Sequence, residues 1–233
     1  MTTATLTGTD VRLRNFVVRE LDWDPEVDAS AIGVTAKQGV VTLTGFIDTY
    51  AGKLAAERVV KRVRGVRAVA NDITVRPTVE RIDADIAADA AAALKLQTTC
   101  ADQVQIAVHR GHVTLTGTVE WFTQKQAAAA AIRHVTGVRD IVNYIEVAPK
   151  RALRDIHRRI VAALHRNADL DALNLRVDVA DDVVTLTGMV GSCLQREAAE
   201  HGAASAPGIR RVDNRIVVVP TKEIEAIDDD EIC

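Results

Sequence analysis

The sequence predicts an α+β fold of three tandem modules, each a three-stranded mixed sheet with two helices on one face. Three observations predict it. The string VTLTG occurs at Val41–Gly45, Val113–Gly117 and Val184–Gly188, at spacings of 72 and 71 residues. A second string begins 20 residues after each of those glycines: GVRAVAN from Gly65, GVRDIVN from Gly137 and GIRRVDN from Gly208. A proline (Pro77, Pro149 or Pro220) then closes each unit six residues past its asparagine. A period of about 70 residues is too long for a solenoid repeat and lies near the lower limit of a self-sufficient domain, so contacts between modules or between chains should contribute stability. The modules are read as residues 10–77, 80–149 and 150–220, followed by an acidic tail at 221–233 that is expected to be disordered.

Each unit begins with an amphipathic helix. Leu13, Phe16, Val17 and Leu21 share a helical face, as do Ile82, Ile86, Ala90 and Leu94, and Leu153, Ile156, Ile160 and Leu164. An alternating strand follows, with Ile32, Val34 and Ala36 on one side, then Val104, Ile106 and Val108, then Leu175, Val177 and Val179. A tight turn (Lys37-Gln38-Gly39, His109-Arg110-Gly111 or Ala180-Asp181-Asp182) leads into the VTLTG strand and makes a hairpin. Gly45, Gly117 and Gly188 are expected to end that strand, where positive φ or close backbone approach is useful. A second helix runs to Gly65, Gly137 or Gly208, each placed as a left-handed C-cap. The last strand carries Val69, Ile73 and Val75, or Ile141, Ile145 and Val147, or Val212, Ile216 and Val218. Its crossover from the VTLTG strand should be parallel and right-handed. Two helices cover one sheet face, which leaves Val40, Thr42 and Thr44, and likewise His112, Thr114 and Thr116, on an open one.

Composition narrows function. Of the 233 residues, 48% are hydrophobic and 26% charged, an ordinary soluble profile, while aromatics at 3% leave the cores to aliphatic side chains. The net charge of −3 gives no basic signature for nucleic acid, so no nucleic-acid partner is expected. Cys100, Cys193 and Cys233 are far apart and form neither a disulfide framework nor a zinc motif. No apolar run is long enough for a membrane-spanning helix. MTTATLTGTD shows no secretory pattern, and the expected location is the cytoplasm, peripheral to the inner membrane. GxSxG, P-loop, HExxH and paired CxxC motifs are absent, so no catalytic residue, metal or cofactor is expected. His109 and His112 flank one hairpin turn, but Lys37 and Val40 hold those places in module one, and a solvated turn is the expected reading.

The VTLTG strand with its glycine, the Ala-rich second helix and the GV-x-x-V-x-N segment resemble the BON domain, a family named for bacterial osmotically inducible and nodulation proteins. The likeness covers all three modules. It implies a non-enzymatic unit that binds phospholipid surfaces or is associated with transport. Relatives linked to osmotic stress and to potassium binding add a small-ion sensor as an alternative.

Charge and aromatics point to the candidate contact residues. The modules carry net charges of +2, −2 and +2, and the tail −5. Module three opens with Lys150, Arg151, Arg154, Arg158 and Arg159 opposite its apolar stripe, a basic helix face able to meet anionic lipid. The equivalent helix of module two carries Glu80, Asp83, Asp85 and Asp89, so pairing between modules or protomers competes with that reading. Trp121 and Phe122 sit where modules one and three have Thr49-Tyr50 and Ser192-Cys193, at a helix start that favours Ser or Thr. Adjacent aromatics there suit a membrane interface, a protein contact or packing on a neighbouring module. The expected partners are therefore an anionic phospholipid surface and further copies of the chain, with a homo-oligomeric or pore-like scaffold as the rival to lipid adhesion.

Overall fold

The computed structural model describes residues 8–97, 100–148, 160, 175–180, 182–206 and 209–219. Module one runs α1 (Gly8–Trp23), β1 (Ile32–Lys37), β2 (Val40–Ile47), α2 (Tyr50–Arg62) and β3 (Ala68–Val75). Module two repeats it as α3 (Asp83–Gln97), β4 (Val104–His109), β5 (His112–Val119), α4 (Phe122–Ile132), β6 (Asp140–Asn143) and β7 (Glu146–Val147). Module three contributes β8 (Leu175–Ala180), β9 (Val183–Val190), α5 (Cys193–Ala204) and β10 (Arg211–Val218). The VTLTG strand is central in every sheet, antiparallel to the strand before it and parallel to the strand after the helix. The α+β organisation expected from the repeats is the one observed.

The hairpins close through two residues of positive φ, Gln38-Gly39 and Arg110-Gly111, a turn whose twist matches the strands it joins. The first helix pins that turn. Asp10 accepts a hydrogen bond from the Gln38 amide at 2.8 Å, and Asp83 accepts from Arg110 and Gly111 at 2.7 and 2.9 Å. These amide bonds, Arg110 first, hold the Asp83 carboxyl below its ordinary range.

Three local expectations need correction. The glycine of VTLTG does not end its strand, because β2, β5 and β9 each run two residues beyond Gly45, Gly117 and Gly188. These glycines have φ of 115°, 137° and 135°, and at the first two a neighbouring carbonyl occupies the place of a side chain. Gly65 and Gly137 are not helix caps. They are the third residues of turns closed by Val66 N–H to Val63 O and by Val138 N–H to Val135 O, both 3.2 Å, a place that requires positive φ. Ile82 precedes α3 and is exposed, so the buried stripe there is Ile86, Ala90 and Leu94. Gly208 lies outside the described residues.

The motif asparagine ties the last strand to the second helix. Asn71, Asn143 and Asn214 donate through Nδ2 to the carbonyls of Lys53, Lys125 and Arg196, and accept through Oδ1 from the amides of Ile73, Ile145 and Ile216. The small residues Ala55, Ala56, Ala128, Ala131, Ala199 and Ala203 let those helices lie close on their sheets. Leu43, Leu115 and Leu186 fill the cores between, each contributing about 1.5–3 kcal/mol by burial. The open sheet face keeps Val40 and Thr44 exposed, with Phe46 beneath the Arg76 guanidinium at 3.2 Å from the ring centre.

The modules are not equally joined. Buried residues of modules one and three form a single core, which includes Ile160, while module two has its own. Tyr50 packs against both. In space the order is therefore three, one, two.

Candidate functional site

Two kinds of surface stand out: the joints between modules and the exposed apolar tips. At the joint of modules three and one, α5 lies against α2. The Cys193 thiol, buried at the start of α5, donates to the Val66 carbonyl at 3.4 Å. Burial, the largest influence on Cys193, pushes its pKa up, so it stays a neutral thiol. Lys61 bridges Glu57 at 2.6 Å and Glu197 at 2.5 Å. Desolvation pulls Lys61 down, but its hydrogen bonds to Glu197 and Glu57 more than offset that and hold it above the ordinary lysine value. Desolvation raises Glu57, and the hydrogen bonds from Lys61 and Asn71 outweigh it and hold the carboxyl below its ordinary value.

The sign of each shift sets a pH window. The contribution of Glu57 is present above the ordinary glutamate pKa and is lost as pH falls through the lower folded value. That of Lys61 is present below the ordinary lysine pKa and is lost as pH rises through the higher folded value. The joint is thus expected to be firmest between about pH 5 and pH 10. Denaturant midpoints measured across pH should fall at both ends, and Lys61→Gln should flatten the alkaline limb.

At the joint of modules one and two, Tyr50 at the start of α2 faces the Ile141 backbone N–H and the Asp140 carboxylate of module two. Burial first, then the charge of Asp140, raises its phenol pKa. A cleft of about 160 Å³ lies beside it, lined by Thr49 and Tyr50 on one side, His134 and Val138 on the other, and Pro77 and Val79 of the linker. Thr49 caps α2, its Oγ1 accepting the Gly52 amide at 3.0 Å.

The expected aromatic pair is at the start of α4. Trp121 is the N-cap residue, offers no side-chain acceptor and is 40% exposed. Gln124 partly compensates by accepting the amides of Glu120 and Trp121, both at 3.0 Å. Phe122 is half-buried against the core of module two. Lys150, Arg151, Arg154, Arg158 and Arg159 lie outside the described residues, as does the acidic tail. His112 stands 4.0 Å from Asp140, and among the described residues no three His, Cys, Asp or Glu side chains are grouped to hold a metal. Among the described residues no helix is long and apolar enough to cross a membrane.

Sequence reasoning missed two side chains. Trp23 and Leu96, 85% and 86% exposed, end the first helices of modules one and two at matching places, ten residues beyond Leu13 and Ile86. Arg19 and Arg12 precede Trp23 by four and eleven residues, which puts all three on one stripe of α1. The signal was available as large apolar residues outside the buried stripe, but the repeat pattern does not mark them.

The fold and the recurring glycines and asparagine define a repeated α+β module. The BON domain family model matches residues 9–77, 82–149 and 153–220, and the chain belongs to this family. It is similar to osmotically-inducible protein Y of Escherichia coli (strain K12), 31% identical over 124 residues, which is 50% of this chain and 62% of that protein. The chain thus matches less than two thirds of that relative's length. Among solved structures, it is similar to CdsD, a structural protein of the type III secretion system of Chlamydia trachomatis. The TM-score is 0.27 at 15% identity, over 91% of this chain and 94% of that one. The CdsD C-terminal domain gives 0.26 at 14%, over 90% and 98%.

Proposed function

We propose that this chain is a non-catalytic, membrane-associated protein of the osmotic-stress type that adheres to anionic phospholipid surfaces. The observation that carries the reading is the pair of bare apolar tips, Trp23 and Leu96, at equivalent helix ends of two modules. A tryptophan set in line with Arg12 and Arg19 suits headgroup depth, the ring entering the interface and the guanidiniums meeting phosphate. Glu20 and Asp22 occupy flanking stripes and limit the approach to the Trp23 side. The basic residues from Lys150 to Arg159 add cationic charge to the same chain. The name of the Escherichia coli relative, an osmotically inducible protein, supports the stress context.

The test uses vesicles of phosphatidylcholine with about one third phosphatidylglycerol, against phosphatidylcholine alone. In a Trp121→Phe background, Trp23 is the one fluorophore of its kind left of the two. Its emission should shift to the blue on anionic vesicles, and pelleting should weaken as salt rises. Trp23→Ala with Leu96→Ala should reduce binding by about tenfold or more, a loss of about 1.4 kcal/mol. Equal pelleting on both vesicle types, or none on either, would overturn the reading.

A further inference from the structure

We propose that copies of this chain join end to end by repeating its internal module joint: the module-two end bearing Trp121 and Phe122 docks on the module-three surface at Arg211, beside the buried Ile209, of a second copy. The argument starts from position in the repeat. Tyr50, Phe122 and Cys193 each stand five residues after the glycine of VTLTG, at the start of the second helix. Val66, Val138 and Ile209 stand 21 residues after it, and Ala68, Asp140 and Arg211 stand 23 after it. Cys193 meets Val66 of module one, and Tyr50 packs on the core of module two at the Ile141 amide, in the field of Asp140. Both joints therefore bring the helix start of one module to the segment beyond the second helix of the next.

Such a joint is directional, and its two surfaces differ. A head-to-tail contact does not terminate itself as a two-fold contact does; it leaves one free end of each kind, which serve the next copy. In the order three, one, two, the spare helix start belongs to module two and the spare receiving surface to module three. Phe122 packs against the core of module two alone, where Tyr50 packs against two cores, and Trp121 is 40% exposed.

The chemistry of the matched positions agrees. The phenol of Tyr50 lies in the field of the Asp140 carboxylate, and the compact thiol of Cys193 is matched by the small Ala68. The aromatic pair Trp121-Phe122 is matched by Arg211, an exposed guanidinium suited to stack on an aromatic face. Trp121 also forgoes the side-chain cap that Thr49 and Ser192 supply at the same position, a local cost that a docking role offsets.

The experiment is sedimentation velocity on the full chain without lipid, from about 1 to 200 µM, a range suited to a contact of modest area. Wild type should rise from 25.2 kDa to larger species with concentration. Trp121→Thr, which installs the missing cap, should stay monomeric while its melting temperature rises, which shows that folding is intact. Arg211→Glu should also stay monomeric. Mixed one to one, the two variants retain one good surface each and should form a complex of two chains that grows no further. A wild type that stays at one chain throughout, a Trp121→Thr variant that still assembles, or a mixture that does not pair would each overturn the proposal. Because lipid is absent, these outcomes are independent of vesicle binding, and Trp23→Ala with Leu96→Ala should assemble as wild type does.

Discussion

Gly45→Ala is expected to unfold module one, and Gly117→Ala module two. A Cβ at Gly45 would lie 2.0 Å from the Ala31 carbonyl oxygen, and one at Gly117 would lie 2.0 Å from that of Gln103. Both obstacles are backbone, held by the short turns Ala29–Ala31 and Ala101–Gln103 that feed β1 and β4. Relief thus requires moving a strand whose register is fixed by pairs such as Ile32 with Gly45 and Val104 with Gly117. The φ values of 115° and 137° add strain of about 1–3 kcal/mol for any L side chain. Together with the clash, a loss of at least about 4 kcal/mol is expected, beyond the range of ordinary substitutions. That corresponds to a melting temperature lower by about 15 °C or more for a domain of this size. Gly33→Ala is the contrast: its Cβ meets the Thr44 hydroxyl at 2.9 Å, and that group rotates away. Gly8→Ala, with nothing within 4 Å, should be neutral. Calorimetry on the four variants checks the order, and a Gly45→Ala protein that melts with the wild type would contradict it.

The sheet was legible because period-2 alternation and the VTLTG string constrain each strand twice, once by burial and once by register. The glycine's positive φ and close backbone approach were legible, but the strand's continuation beyond it was not. Sequence shows a residue without Cβ, but whether the chain stops or continues past it depends on the Ala31 or Gln103 carbonyl opposite, which belongs to another segment. Ile82 misled for a similar reason: it keeps the spacing of the buried stripe but precedes the first helical residue, Asp83. The joints were illegible because the positions that make them hold Tyr50 and Cys193, two chemistries with no shared pattern. Trp23 and Leu96 differ too, and only their common exposure connects them.

Asn71→Leu is expected to cost more than Asn143→Leu, although the motif is the same. Each substitution loses a bond to a carbonyl of the second helix and an acceptor for the amide N–H two residues on, which is left without its side-chain partner. Stranding that amide costs about 1–3 kcal/mol when buried. Asn71 also donates to Glu57 at 3.1 Å, and Asn214 to Glu200 at 3.0 Å, whereas Ala129 holds that place in module two. A bond to a charged acceptor adds about 1.5–3 kcal/mol, so the excess for Asn71 is expected near the lower end of that range at a half-exposed carboxylate. The difference should depend on pH. The Glu57 carboxyl is held below its ordinary value, so the extra loss in Asn71→Leu is full at neutral pH and disappears as pH falls through that lowered value. Asn143→Leu has no carboxylate to titrate and should show a cost independent of pH over the same interval. Amide hydrogen exchange at Ile73 and Ile145 reads the two modules separately. Equal protection losses at pH 7 and pH 3 for Asn71→Leu would remove Glu57 from the account and leave the helix carbonyl as the asparagine's one partner that matters.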